Sequence, residues 1–290
     1  MNKSPLFGIT AGLIAASIWG GMYVVSKAVM DVIPPYLLLT SRLLLGILTL
    51  FLVITSTGGL KVTRGQFWQI FWVGFVGYGI SVGLQFVGTN LSTASNGSLV
   101  TSATPAFVLL FAALLLGEKI TRQRILALLV ASLGVIIVID PRTAQLSSDL
   151  FLGNLALVGA ALTWALYSVL IRKVTRNMDV LPVSLIAFMG GLPVSVPLGA
   201  WEASTVGIGT ITPGVIAGVL FIGIISTALA MYLWNSAFAS LDAGVVSLTF
   251  FAQPVVGTLL GWLFLGEIIT PLFLVGGLLI GIGILISGFS

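Results

Sequence analysis

Apolar runs long enough to cross a bilayer recur from one end of this sequence to the other, and that feature decides what the chain can fold into. Segments of spanning or near-spanning length fall at 6–26, 35–55, 67–88, 94–116, 124–139, 151–171, 180–199, 213–235, 243–265 and 270–289, against the roughly 20 residues a helix needs to cross about 30 Å of hydrocarbon. Only 7% of the 290 residues are charged while 58% are hydrophobic, far too little charge to clothe a soluble surface of this size. A membrane barrel would alternate apolar and polar residues along short strands, whereas Leu278–Ile286 is apolar without alternation. The sequence therefore predicts an all-α integral membrane protein of about ten transmembrane helices.

Punctuation agrees with these cuts. Pro34-Pro35, Gly58-Gly59, Asp140-Pro141, Thr212-Pro213 and Thr270-Pro271 are poor helix interiors but good starts or breaks. The N-terminus, Lys3 before an apolar run from Leu6, imitates a signal peptide. The run continues past Trp19 to Val25 without a small-x-small cleavage site, so it is expected to be retained as the first helix. With the N-terminus inside, Lys3, Lys61, Arg64, Lys119, Arg122, Arg124, Arg172, Lys173 and Arg176 all fall on the cytoplasmic side, and only Lys27 and Arg142 outside. The positive-inside rule then predicts a multi-pass protein of a bacterial-type inner membrane with both termini cytoplasmic. The net charge of +4 resides in these loops and is read as topology, so nucleic acid is not an expected partner.

There is no cysteine and no histidine. That removes disulfides, thiolate or imidazole metal sites, haem ligation and the commonest general base, so neither a cofactor nor a metal is expected and an enzyme is disfavoured.

The chain repeats itself. Thr104-Pro105, Leu116-Gly117-Glu118 and Thr121 return as Gln253-Pro254, Leu265-Gly266-Glu267 and Thr270, at a constant offset of 149. Ala94, Ser98 and Gly74 map onto Ala243, Ser247 and Gly223 at the same offset, and Trp19-x-x-x-Tyr23 echoes Trp164-x-x-Tyr167 at a slightly different one. Five helices per copy is an odd number, so the second half must lie upside down relative to the first. Two inverted five-helix repeats are predicted, 1–145 and 146–290. The loop after Glu118 is basic and that after Glu267 is not, as the inversion requires.

The run from Ala94-Ser-Asn-Gly97 through Thr104-Pro105 to Leu116-Gly-Glu118, then Ala127 to Val138, resembles the EamA-type repeat of the drug/metabolite transporter superfamily. Ala243 to Gly288 resembles the second copy, and Arg42 within Leu39-Thr-Ser-Arg-Leu43 matches an arginine early in helix 2. The resemblance implies a ten-helix carrier with a central cavity lined mainly by helices 1, 3, 4, 6, 8 and 9, exporting amino acids or related small organic metabolites. Sugar and nucleotide-sugar carriers belong to the same superfamily. The position equivalent to Arg42 in the second half falls near Met189, so that charge is not duplicated.

Several side chains stand out as candidate substrate ligands. Ser95, Ser98, Ser102 and Pro105 share one face of helix 4, suited either to close helix packing or to cavity lining. Pro105 and Pro254 each fall about halfway along a span, as static bends or as a pair of hinges. Trp19, Tyr23, Tyr78, Trp164, Tyr167 and Trp234 form either interfacial belts or an aromatic cavity. Gln85, Asn96, Asn235 and Gln253 are intramembrane amides that serve as interhelical glue or as ligands for a zwitterion. Arg42, roughly 10 Å along its helix, is expected to act structurally, paired with Asp31 or anchored at the interface, and Glu118 and Glu267 as loop anchors.

An alternating-access carrier is the expected function, with the lipid bilayer and a small-molecule substrate as partners; a channel is the second reading. No carboxylate lies near the centre of a predicted span, which points to uniport or weakly coupled export. Glycine-rich helix 10, with Gly276-Gly277, Gly281 and Gly283, is a dimer face or an internal packing face, leaving monomer and homodimer both open.

Overall fold

The computed structural model describes residues 5–57, 62–91, 101, 103–139, 151–265 and 271–288. Along them runs an all-helical chain: α1 (Pro5–Met30), α2 (Pro35–Thr57), α3 (Arg64–Leu91), α4 (Thr104–Leu116), α5 (Arg122–Ile139), α6 (Phe151–Thr175), α7 (Val180–Thr205), α8 (Pro213–Ser240), α9 (243–265) and α10 (Pro271–Gly288). Among the described residues α1, α2, α3, α6, α7 and α8 have the length and hydropathy of membrane spans, and shorter apolar helices lie in α4, α9 and α10. Exposed faces are apolar, with Leu48, Phe51 and Leu52 outward on α2, Leu126, Leu129 and Leu133 on α5, and Phe151, Leu152 and Leu155 on α6. In water such faces would drive aggregation; in lipid they are solvated.

Buried polar groups instead collect inside the bundle. Helix α1 packs between α8 and α9, α6 between α3 and α4, α2 against α7 and α8, α3 against α7, α4 against α9, and α5 against α10. Lipid gives helices no hydrophobic reason to associate, so close approach matters, and glycine supplies it. A methyl group built on Gly74 would lie 2.0 Å from the carbonyl oxygen of Ala187, and one on Gly190 2.1 Å from that of Phe71. Helices α3 and α7 therefore touch backbone to backbone. On α10, Gly283 packs on the backbone of Ala127 and on Ala131, whereas Gly277 and Gly281 have no neighbour among the described residues within 4 Å of such a methyl group.

Three helices are irregular in ways that position the centre. Helix α3 widens to π geometry over Phe75–Ser81 and α8 over Phe221–Leu229, releasing carbonyls from the regular ladder. Helix α9 passes from Ala243–Leu248 through a 3₁₀ turn at Thr249–Phe251 into Ala252–Leu265. Of the two candidate hinge prolines, Pro254 sits just beyond the discontinuity of α9, and Pro105 lies at the start of the described part of α4. Pro105 occupies the first turn of α4, and Pro254 the first turn after the 3₁₀ segment, where a missing N–H costs little. At Pro254 the bend anticipated from sequence is a 3₁₀ break with the proline just beyond it, while the stretch immediately before α4, apart from Thr101 and Ala103, lies outside the described residues.

Candidate functional site

Trp19 of α1, Trp164 of α6 and Trp234 of α8 converge at the middle of the bundle. Their rings meet edge to face, Trp19 lying 5.8 Å from Trp164 and 5.2 Å from Trp234. None belongs to a belt: Trp19 is 3% exposed, Trp164 8% and Trp234 fully buried. The π stretch of α8 explains one anchor, because Ser226 within it accepts a hydrogen bond from Trp19 Nε1 at 3.0 Å. Beside these rings lies a cavity of about 30 Å³ whose wall includes Trp19, Trp164, Arg42, Gln85, Thr104 and Gln253. That is room for a water molecule or two, far short of the several hundred Å³ of a typical ligand pocket, so this conformation is contracted about its centre.

Arg42 departs most from expectation. It is 1% exposed, inside the bundle, and neither pairs with Asp31 nor reaches an interface. Its Nε donates to Thr227 Oγ1 at 2.8 Å, and Thr227 in turn donates to the Ile222 carbonyl at 2.7 Å, which fixes the threonine hydroxyl as an acceptor toward the guanidinium. The guanidinium carbon lies 5.3 Å from the centre of the Phe86 ring. Both terminal nitrogens, NH1 and NH2, have no hydrogen-bond partner among the described residues. Placing Arg42 by its distance from Pro35 missed this, because helix depth was read without knowing that α8 brings a threonine to meet it.

The other candidates divide into two groups. Tyr78 and Tyr167 share a hydrogen bond of 2.6 Å, Tyr167 donates to Asn235 Oδ1 at 3.0 Å, and Asn235 Nδ2 donates to Ser184 Oγ at 2.9 Å. Because the Tyr167 proton goes to Asn235, Tyr78 is the donor in the first link. This relay joins α3, α6, α8 and α7 and satisfies each member in this conformation. Ser247 is likewise occupied, donating to the Gly244 carbonyl at 2.9 Å. Gln85 instead lines the cavity and donates to the Tyr23 hydroxyl. Trp164 Nε1, Thr104 Oγ1 and Gln253 Oε1, all on cavity-lining residues, are buried without a partner among the described residues. Asn96, Ser98 and Ser102 lie outside the described residues.

The sequence profile of the EamA-like transporter family matches residues 6–140 and 151–289. The chain belongs to this family. It is 24% identical to the uncharacterized transporter YoaV of Bacillus subtilis (strain 168), covering 97% of each chain. It is 25% identical to a protein of Salmonella typhimurium named a "probable amino-acid metabolite efflux pump", covering 96% of this chain and 93% of that one. A solved crystal structure superposes with a TM-score of 0.81 at 20% identity, over 97% of this chain and 96% of the other, and so shares the fold. Family members are transporters, and this one is a multi-pass membrane protein.

In this EamA-like chain the two ends of the bundle are built differently. At one end Glu118, Arg124, Arg172 and Asp242 form a single cluster. Arg172 reaches Glu118 at 2.9 Å and Asp242 at 2.8 Å, while Arg124 reaches Asp242 at 2.6 Å and Glu118 at 3.6 Å. Glu118 also accepts from the first amides of α9, Ala243 at 3.0 Å and Gly244 at 3.3 Å, where the helix dipole favours an anion. The expected loop anchor is thus a latch tying α4, α5 and α6 to the start of α9; Glu267 lies outside the described residues. At the opposite end Glu202 caps α2, accepting from Tyr36 N at 2.7 Å and Leu37 N at 3.1 Å, beside a cavity of about 580 Å³ bordered by Asp31, Asn90 and Trp201. Sequence reading missed Glu202, although Pro34-Pro35 opening a helix marked amides in need of an acceptor.

Proposed function

We propose that this protein is an alternating-access carrier that exports amino acids or related small organic metabolites, binding them at the central aromatic and amide-lined cavity. The observation that carries the reading is the composition of that cavity's wall. Thr101 and Phe250, Thr104 and Gln253, and Val82 and Met231 all line it, and each pair is related by the 149-residue offset of the internal repeat. Trp19 and Trp164, the echoed tryptophans, line it too. A cavity whose opposite walls are equivalent positions of two copies is where inverted repeats place a site that must face both sides in turn.

The helix neighbours support the same division into 1–145 and 146–290. Exchanging each helix for the one five places along maps α1–α8 onto α6–α3, α1–α9 onto α6–α4 and α2–α8 onto α7–α3, and returns α2–α7, α4–α9 and α5–α10 to themselves. The paired π stretches and the paired prolines obey the exchange as well. Ten crossings in two inverted halves, with cytoplasmic termini in a bacterial-type inner membrane, put the Glu118 latch inside and the larger cavity outside. Export then requires the latch to open, the central cavity to widen and the solute to leave past Asp31 and Asn90. The hinge assignment for Pro105 and Pro254 rests on Pro254 lying beside the 3₁₀ break of α9 and on Pro105 being its equivalent at the 149-residue offset. With no carboxylate lining the central cavity among the described residues, uniport is the mechanism we adopt.

The test is counterflow of labelled amino acids, sugars and organic cations into proteoliposomes. Saturable amino-acid uptake, reduced at least tenfold in correctly inserted Trp164→Ala protein, is the expected result. Saturable uptake of a sugar alone would reassign the substrate class. Conductance without saturation would replace the carrier by a channel.

A further inference from the structure

We infer that Arg42 is the recognition site for a carboxylate on the transported solute, and that the unpaired carbonyl of Gln253 and the faces of Trp19 and Trp164 receive its cationic or apolar remainder. The inference rests on the central-cavity reading above and adds to it the chemical group the cavity selects.

A buried guanidinium kept for structure alone is expected to bring its own carboxylate, because an unpaired cation in a low-dielectric interior is costly and an apolar side chain of similar volume would serve better. Arg42 has none. Of its three donor-bearing nitrogens, Nε is held by Thr227 and the two terminal ones are orphaned on a residue that lines the cavity. The Thr227 contact holds the guanidinium by Nε and leaves its NH1/NH2 edge unused among the described residues. A planar two-nitrogen edge matches a two-oxygen anion in bidentate geometry.

Charge count separates carboxylate from phosphate. Arg42 is the single charged residue among the cavity's described lining. One unit of positive charge balances a carboxylate, whereas a phosphate near neutral pH carries about 1.5 to 2 negative charges and gathers several cations or a helix N-terminus. Of the remaining cavity orphans, Trp164 Nε1 is a donor only, Gln253 Oε1 an acceptor only, and Thr104 Oγ1 can do either. An α-amino acid presents the converse set, an acceptor-only carboxylate and a donor-only ammonium. The cavity's present volume of about 30 Å³ means that these groups are displayed fully only when it widens.

The test compares ligands that differ only at the acid. Thermal unfolding of purified protein in nanodiscs is followed with L-phenylalanine, L-phenylalaninamide, hydrocinnamate and hydrocinnamamide, for wild type, Arg42→Gln and Arg42→Lys. Wild type is expected to bind at least one acid about ten- to a hundredfold more tightly than its amide, the range of a charge-assisted bidentate pair. Arg42→Gln, which removes an unpaired buried charge, is expected to fold at least as stably and to bind acid and amide alike. Arg42→Lys keeps the charge without the fork and is expected to retain only part of the preference. Preference for hydrocinnamate without preference for phenylalanine would keep Arg42 as a carboxylate site and remove the amino-acid assignment. An undiminished acid preference in folded Arg42→Gln or Arg42→Lys, or no acid preference in wild type up to millimolar ligand, overturns the inference even where saturable transport is found.

Discussion

Neutralising Glu118 should open the end of the bundle that its latch holds. The carboxylate is 8% exposed and faces Arg172, Arg124 and the amides of Ala243 and Gly244. Removing one partner of a buried ion pair costs about 3–5 kcal/mol, mostly by stranding the other charge. Here Asp242 remains beside both arginines, but its side chain is 47% exposed and its interactions are screened by solvent. The lower figure, about 3 kcal/mol, is therefore the appropriate one for Glu118→Ala. If the cluster exists only when this end is closed, that energy moves the closed-to-open ratio by about a hundredfold. The chain has no cysteine, so a single Ser247→Cys, one helical turn inside the latch and 1% exposed, reports opening without background. The expected outcome is labelling by a membrane-impermeant maleimide, applied from the Glu118 side, at least tenfold faster in Glu118→Ala than in the parent. An unchanged labelling rate together with a lowered melting temperature would refute the reasoning, since the cluster would then be packing common to every conformation.

Two further predictions concern the scaffold. Glu202→Ala removes the acceptor for the first amides of α2 and should lower stability by about 2 kcal/mol, with Glu202→Gln losing less because one oxygen still accepts; thermal melting in detergent checks both. Gly74→Ala should destabilise by about 3 kcal/mol although alanine is the better helix former, because its methyl would meet the Ala187 carbonyl at 2.0 Å. Gly65→Ala, in the same helix with nothing within 4 Å, should be neutral or slightly stabilising, and equal melting temperatures for the two variants would contradict the backbone-contact account of α3 and α7.

What could be read from the sequence follows from how membrane proteins encode themselves. Helix positions and punctuation were legible because the solvent is uniform: Pro35, Pro213 and Pro271 begin helices where read. The aromatic centre was half legible, since Trp19 and Trp164 could be matched as equivalents before their rings were known to meet. Hydrogen-bond partners were not legible, because they depend on which helix lies beside which. Hence the relay that links Tyr167 and Asn235, the Thr227 contact that holds Arg42 inside the bundle and away from Asp31, and the place of Thr104 in the cavity appear only in the structure. The offset of 149 held the missing signal, for it pairs Thr104 with Gln253, a residue already singled out.

In a chain this poor in charge, the buried exceptions show where the fold accepts an electrostatic cost. Glu202 lies against the start of α2, whose free amides give it a partial positive charge, and the two arginines of the latch, Arg124 buried and Arg172 partly so, lie against two carboxylates. Each of these charges is balanced by its own surroundings in the closed bundle and gains nothing from a solute. Arg42 is the reverse case, buried beside a threonine and a phenyl ring with no carboxylate to balance it among the described residues. A solute carboxylate would relieve that imbalance only while it occupies the cavity, and the relief offsets part of what widening the cavity costs. The acid group would then both select the solute and favour the conformations in which the centre is open.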